Sequence, residues 1–219
     1  NTTASYSTAV GFKSMCTNTT GVANNAFGAF SLLNTTTGKA NVAIGGCNVG
    51  AYGASLESNT TGCCNVAVGT GALRNNTTAN DNTAVGTLAL INNTTGTENV
   101  AVGKNALYAN ITTGLNTAIG TNALCSHNAN GVDNTAVGHG ALKGSTEGYY
   151  NTAVGKNALS NVTTGDNNLG FGRDSGVDAV RNITSGDNEI VIGNNSHGSA
   201  FIKIDWTVTS DLRDKTEVK

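Results

Sequence analysis

The sequence predicts an all-β chain: a parallel β-solenoid, or β-roll, of about eleven coils of seventeen residues. The first observation is spacing. Gly11, Gly28, Gly45, Gly69, Gly86, Gly103, Gly120, Gly138, Gly155, Gly172 and Gly193 each close a short apolar stretch, at intervals of 17, 17, 24, 17, 17, 17, 18, 17, 17 and 21 residues. A fixed short period marks one unit stacked on itself, and seventeen residues are too few for a helix–turn–helix repeat. The second is composition. Among 219 residues, 32 are Asn, 32 Thr and 29 Gly, with no Pro and only 12% charged. A coil that buries one apolar stripe against its neighbours needs few large side chains.

The unit reads Asn-Thr-Ala-Val-Gly, two free positions, Ala-Leu, then a polar stretch ending Thr-Thr-Gly, most cleanly from residues 82–86 onward. We expect two short strands and two turns per coil. The residue before the motif Gly is always apolar and mostly β-branched, from Val10 and Phe27 to Phe171 and Ile192. Such a column suits an inward ladder on strand one. Four after the Gly come Met15, Leu32, Leu73, Leu90, Leu107, Leu124, Leu142 and Leu159, a second inward ladder on strand two.

Alternation along a strand then turns the intervening alanines away from the Val ladder. An outward stripe of uniform Ala points to close approach of another backbone. A subunit interface is therefore expected at Ala67, Ala84, Ala101, Ala118, Ala136 and Ala153. The alternative is a narrow coil interior that admits only Ala. The motif Gly suits a turn with positive φ. Asn and Thr before the second-corner Gly suit side-chain-bonded turns and polar ladders between coils.

Three interruptions mark surface loops: seven extra residues around Tyr52, one near residues 127–131, and four between Gly172 and Gly193. The rod spans residues 1–195. Residues 196–209, with the only Trp, read as a capping or transition strand, because an open solenoid end needs cover.

The Asn-Thr-Ala-Val-Gly unit resembles the head repeat of trimeric autotransporter adhesins of the YadA type, closest at residues 41–45 and 99–103. The resemblance implies a left-handed parallel β-roll packed as a homotrimer. The longer unit, with its Asn-Thr-Thr-Gly corner, is similar to shaft repeats of phage-type tail fibres. Residues 210–219 resemble the opening of the endosialidase-type intramolecular chaperone (peptidase S74) domain, which starts Ser-Asp-x-Arg-x-Lys. That resemblance implies autocleavage at Ser210, paired with Lys215, in a precursor carrying the whole domain.

Other chemistry finds little support. Net charge is −2 with no basic run, so no nucleic-acid partner is expected. No apolar run is long enough to insert in a membrane. The chain starts at Asn1 without Met or a leader, which reads as a fragment or processed product. Cys16, Cys47, Cys63, Cys64 and Cys125 fit no disulfide framework or zinc motif. His127, His139 and His197 share no metal spacing, so no metal or cofactor is expected. Gly170-Phe171-Gly172-Arg173-Asp174-Ser175-Gly176 lies on the repeat phase and has no βαβ context for a phosphate loop.

Carboxylates are scattered in corners, against the paired arrangement of a polysaccharide depolymerase. Adjacent Thr pairs such as Thr60-Thr61 would point oppositely, against an ice-binding face. Asn-x-Ser/Thr sequons, including Asn18, Asn59, Asn93 and Asn161, follow from the repeated corner. Tyr52, Tyr149 and Tyr150 are candidates for surface contact with a glycan or protein. The expected function is a non-enzymatic, structural and adhesive segment of a virion tail fibre. Its partners would be two further copies, other fibre proteins and a host surface. The alternative is the head of a bacterial surface adhesin.

Overall fold

The computed structural model describes residues 5–46, 52–128, 130–178 and 181–197. Eleven three-residue strands form one parallel sheet in sequential order. They are β1 (Thr8–Val10), β2 (Asn25–Phe27), β3 (Val42–Ile44), β4 (Val66–Val68), β5 (Thr83–Val85), β6 (Val100–Val102), β7 (Thr117–Ile119), β8 (Thr135–Val137), β9 (Thr152–Val154), β10 (Leu169–Phe171) and β11 (Ile190–Ile192). Register keeps like on like: Ala84 pairs with Ala101 and Ala101 with Ala118. The chain is a parallel β-solenoid of about ten turns, with no helix among the described residues.

Two expectations need correction. The first is the second strand. Each coil has one strand; its other side is a series of turns. The Leu column sits in left-handed backbone, with φ of 49° at Leu73, 51° at Leu90 and 50° at Leu107, so it cannot extend. That conformation also explains why the column holds Leu or Met, and Gly at Gly176, but never Val or Ile, since β-branching clashes with positive φ. Inter-coil bonding continues there one bond at a time: the Leu90 N–H donates to the Ala106 carbonyl and the Leu107 N–H to the Ala123 carbonyl, both at 3.0 Å.

The second correction reverses the faces of the strand. Ala67, Ala84, Ala101, Ala118, Ala136 and Ala153 are fully buried inside the coil and belong to its apolar core. They are therefore not a subunit interface. The Val column faces outward instead: Val10 is 53% exposed, Ile44 43%, Ile119 40% and Ile192 66%. The physical cause lies across the coil. The Leu ladder fills the interior and leaves room for a methyl on the strand side. Gly170 takes the Ala place in β10, and a Cβ added there would lie 2.5 Å from Leu159 Cγ. The narrow-interior alternative is the one the coil adopts.

The motif glycines are required twice over. Gly103 has φ 128°, and a Cβ on it would lie 2.6 Å from the Gly120 carbonyl carbon. Stacked coils approach too closely at this corner for any side chain.

Candidate interaction surface

Two internal files of asparagine hold the rod's interior and set what it leaves outside. The first is the Asn opening each strand. The Asn99 N–H and Nδ2 both donate to Asn82 Oδ1, at 3.0 and 3.1 Å, and Nδ2 also donates to the Thr113 carbonyl at 2.9 Å. Asn99 Oδ1 in turn accepts the Asn116 N–H at 3.1 Å. The second file is the Asn of the Asn-Thr-Thr-Gly corner. Asn76 Nδ2 donates to Asn59 Oδ1 at 2.9 Å and Asn93 Nδ2 to Asn76 Oδ1 at 3.1 Å. Asn93 Nδ2 also donates to the Gly96 carbonyl at 2.9 Å, closing the corner. Buried amides satisfied from coil to coil are the polar counterpart of the Leu ladder. The sequon asparagines Asn18, Asn59 and Asn93 are thereby buried, whereas Asn161 is exposed.

His127 takes the place of the corner Asn in one coil. It is fully buried, and its Nε2 lies 2.6 Å from the Gly131 carbonyl. The ring is longer than an amide, which accounts for the one extra residue in this coil. Its Nδ1 and the Ser145 hydroxyl, next in the column, are buried without a hydrogen-bond partner. Burial lowers the His127 pKa below its ordinary 6.5, with the Gly131 carbonyl bond opposing. The unfolded chain then binds the proton more readily than the folded one. The stability this neutral histidine carries is complete above about pH 6.5 and is lost as pH falls through the lower folded value. Urea midpoints of the parent should therefore drop between pH 7.5 and 5 more than those of His127→Asn. Equal drops would remove His127 from the acid response.

The remaining predicted residues do not converge. Tyr52 is exposed beside the first insertion, where its carbonyl would meet a Cβ on Gly71 at 2.5 Å. Tyr149 is half-buried and Tyr150 is 58% exposed, their rings tilted at 6.2 Å, at the corner leading into β9. Ser210 and Lys215, with Cys47 and most of the expected cap, lie outside the described residues. Cys16, Cys63, Cys64 and Cys125 are free. His139 is exposed, and His197 Nδ1 accepts the Asn194 N–H at 3.0 Å. Among the described residues no three His, Cys, Asp or Glu side chains are grouped to hold a metal. Among them, too, no helix is long and apolar enough to cross a membrane. A small cleft of about 160 Å³ lies among Asp178, Arg181, Val191, Ile192 and Asn195. Arg181 is already paired there with Glu189.

What the structure does bring together is the outer face of the sheet. Val68, Val85, Val102, Ile119, Val137 and Val154 form one unbroken file along it, and Phe27, Ile44, Phe171 and Ile192 extend it at both ends. A parallel outward file runs through Thr83, Val100, Thr117, Thr135 and Thr152. The signal for this was present in the sequence: the strand-opening Asn column and the Ala column hardly vary, as a confined interior demands, whereas the Val and Thr columns do.

Set beside protein-family models, curated proteins and solved structures, the chain matches none of them.

Proposed function

We propose that this chain is a non-enzymatic, rod-like segment of a homotrimeric fibre. It serves as part of a virion tail fibre that spaces and presents a receptor-binding tip or touches the host surface itself. The observation that carries the reading is the outer apolar file. Soluble monomers rarely leave apolar patches larger than a few hundred Å² uncovered. Eleven strands at ~4.8 Å make this one roughly 50 Å long. Placing subunit contact on the Val, Ile and Phe file retains the trimer implied by the adhesin and fibre resemblance while moving the interface off the alanines. Tyr52 and Tyr150 remain exposed rings able to stack on a glycan. Sedimentation equilibrium tests the reading: the expected mass is three chains, and a folded monomer at tens of micromolar would sink it.

One observation favours a second reading. Thr83 and Val85, Thr117 and Ile119, and Thr135 and Val137 place hydroxyl and methyl groups side by side on a regularly repeating face, the pattern of an ice-binding surface. That reading needs the face uncovered, so a monomer showing thermal hysteresis would replace the fibre reading.

A further inference from the structure

The apolar file is bordered by charge of opposite sign on its two edges. On the edge where the chain enters the strands, five or six residues before the motif Gly, stand Asp81, Glu98, Asp133, Asp166 and Asp187. On the edge where it leaves, one or two residues past the Gly, stand Lys13, Lys104, Lys156 and Arg173. All but Asp166 are exposed. Asp166 is held in place by accepting the Tyr149 N–H, and Asp187 by accepting the Asp166 N–H, each at 2.8 Å. Lys39 is the opposite charge on the first edge. Asp174 is that on the second, and it is paired with Arg173 at 3.3 Å.

A subunit interface of standard size on this face has to include these edges. Two outward columns, roughly 10 Å wide over about 50 Å, offer on the order of 500 Å². A standard stable interface takes about 800 Å² from each partner. Including both edges widens the surface to ~20 Å, or on the order of 1,000 Å², which passes that size.

Symmetry then decides orientation. Copies related by an axis along the rod bring the acidic edge of one chain against the basic edge of the next. Copies related by an axis across the rod set like charge on like. In a closed ring every coil keeps its own level. Two levels carry both signs: Glu98 and Lys104 flank β6, and Asp166 and Arg173 flank β10.

We infer that copies of this chain associate side by side, parallel and in register, the acidic edge of each against the basic edge of its neighbour. The inference rests on the outer face being a subunit interface. The apolar file supplies affinity, and the edges select orientation and partner. Rim pairs are each worth only a few-fold in affinity, and salt screens them.

The test reverses one edge at a time. Lys104→Glu with Lys156→Glu and Arg173→Glu makes both edges acidic. Asp81→Lys with Glu98→Lys and Asp133→Lys makes both basic. Each triple variant should assemble at least ~10-fold more weakly than the parent at low salt, with the deficit shrinking in high salt. The six-fold variant, with the edges exchanged, should return close to the parent. An assembled parent whose single-edge variants are unaffected, or whose six-fold variant is not rescued, overturns the inference and leaves the interface standing. A monomeric parent removes the interface itself. Mixing the two triple variants reports ring size. An odd ring must juxtapose like edges once and stays weak, as three subunits require, whereas tight mixed assembly would mean an even ring and overturn the trimer.

Discussion

Val102→Lys combined with Ile119→Lys is expected to convert the proposed trimer into folded monomers. The two residues are register partners on adjacent strands near the middle of the outer file. Both point away from the coil interior, Ile119 with 40% of its surface exposed in the single chain. Ammonium groups there meet water in the monomer, so the fold is retained. In the assembly they would lie within the apolar contact, where an unpaired buried charge costs several kcal/mol after relaxation. At roughly 3 kcal/mol per substitution, affinity falls more than ~100-fold for each. Sedimentation equilibrium reads the mass and circular dichroism the fold. A double variant that stays assembled would remove the file from the interface. The control comes from the alanines. Ala101→Leu and Ala118→Leu overfill the coil and should cost about 1–3 kcal/mol of folding stability whatever the state of assembly.

Asn99→Asp is the second large effect, and it acts on folding. The buried Asn99 amide donates to Asn82 Oδ1 and the Thr113 carbonyl while its own oxygen accepts the Asn116 N–H. A carboxylate keeps the acceptor and turns both donor contacts into oxygen against oxygen. Two lost hydrogen bonds and a buried charge together cost roughly 4–6 kcal/mol. Asn99→Ala leaves the Asn116 N–H unpaired, while the Thr113 carbonyl keeps its bond from Asn110 Nδ2, and costs about 1–3 kcal/mol. The aspartate variant should also have an inverted pH response. Burial raises the carboxyl pKa in the folded state, so its stability is highest below the ordinary carboxyl range and is lost as pH rises through the folded value. Urea denaturation of the three chains across pH checks both size and sign. An aspartate variant within 1 kcal/mol of the parent would mean that the Asn file is incidental to the fold.

Much of the rod was legible in the sequence, because its causes are local. Gly103 must be Gly for its φ and its clearance, and the period of such glycines counts the coils. The Asn-Thr-Thr-Gly corner announces itself because Asn93 closes a turn onto Gly96, three residues on. The second strand was misread because the Leu column looks like any apolar ladder, and its left-handed backbone shows only in the fold. His127 was noticed as an irregularity. Its role as a long substitute for a corner Asn depends on a column of residues seventeen and eighteen apart.

The sequence by itself determined the repeat, its corners and the two-faced alternation of each strand. Tertiary structure alone decided which face is inside, since alternation is symmetric: Val-in with Ala-out and Ala-in with Val-out share one pattern. The choice falls to the opposite wall of the coil. Leu107 and its equivalents occupy the interior from that side, and the strand can answer them only with methyl groups and with amides that bond from coil to coil. The larger Val, Ile and Phe side chains are thereby turned outward, between an acidic and a basic edge.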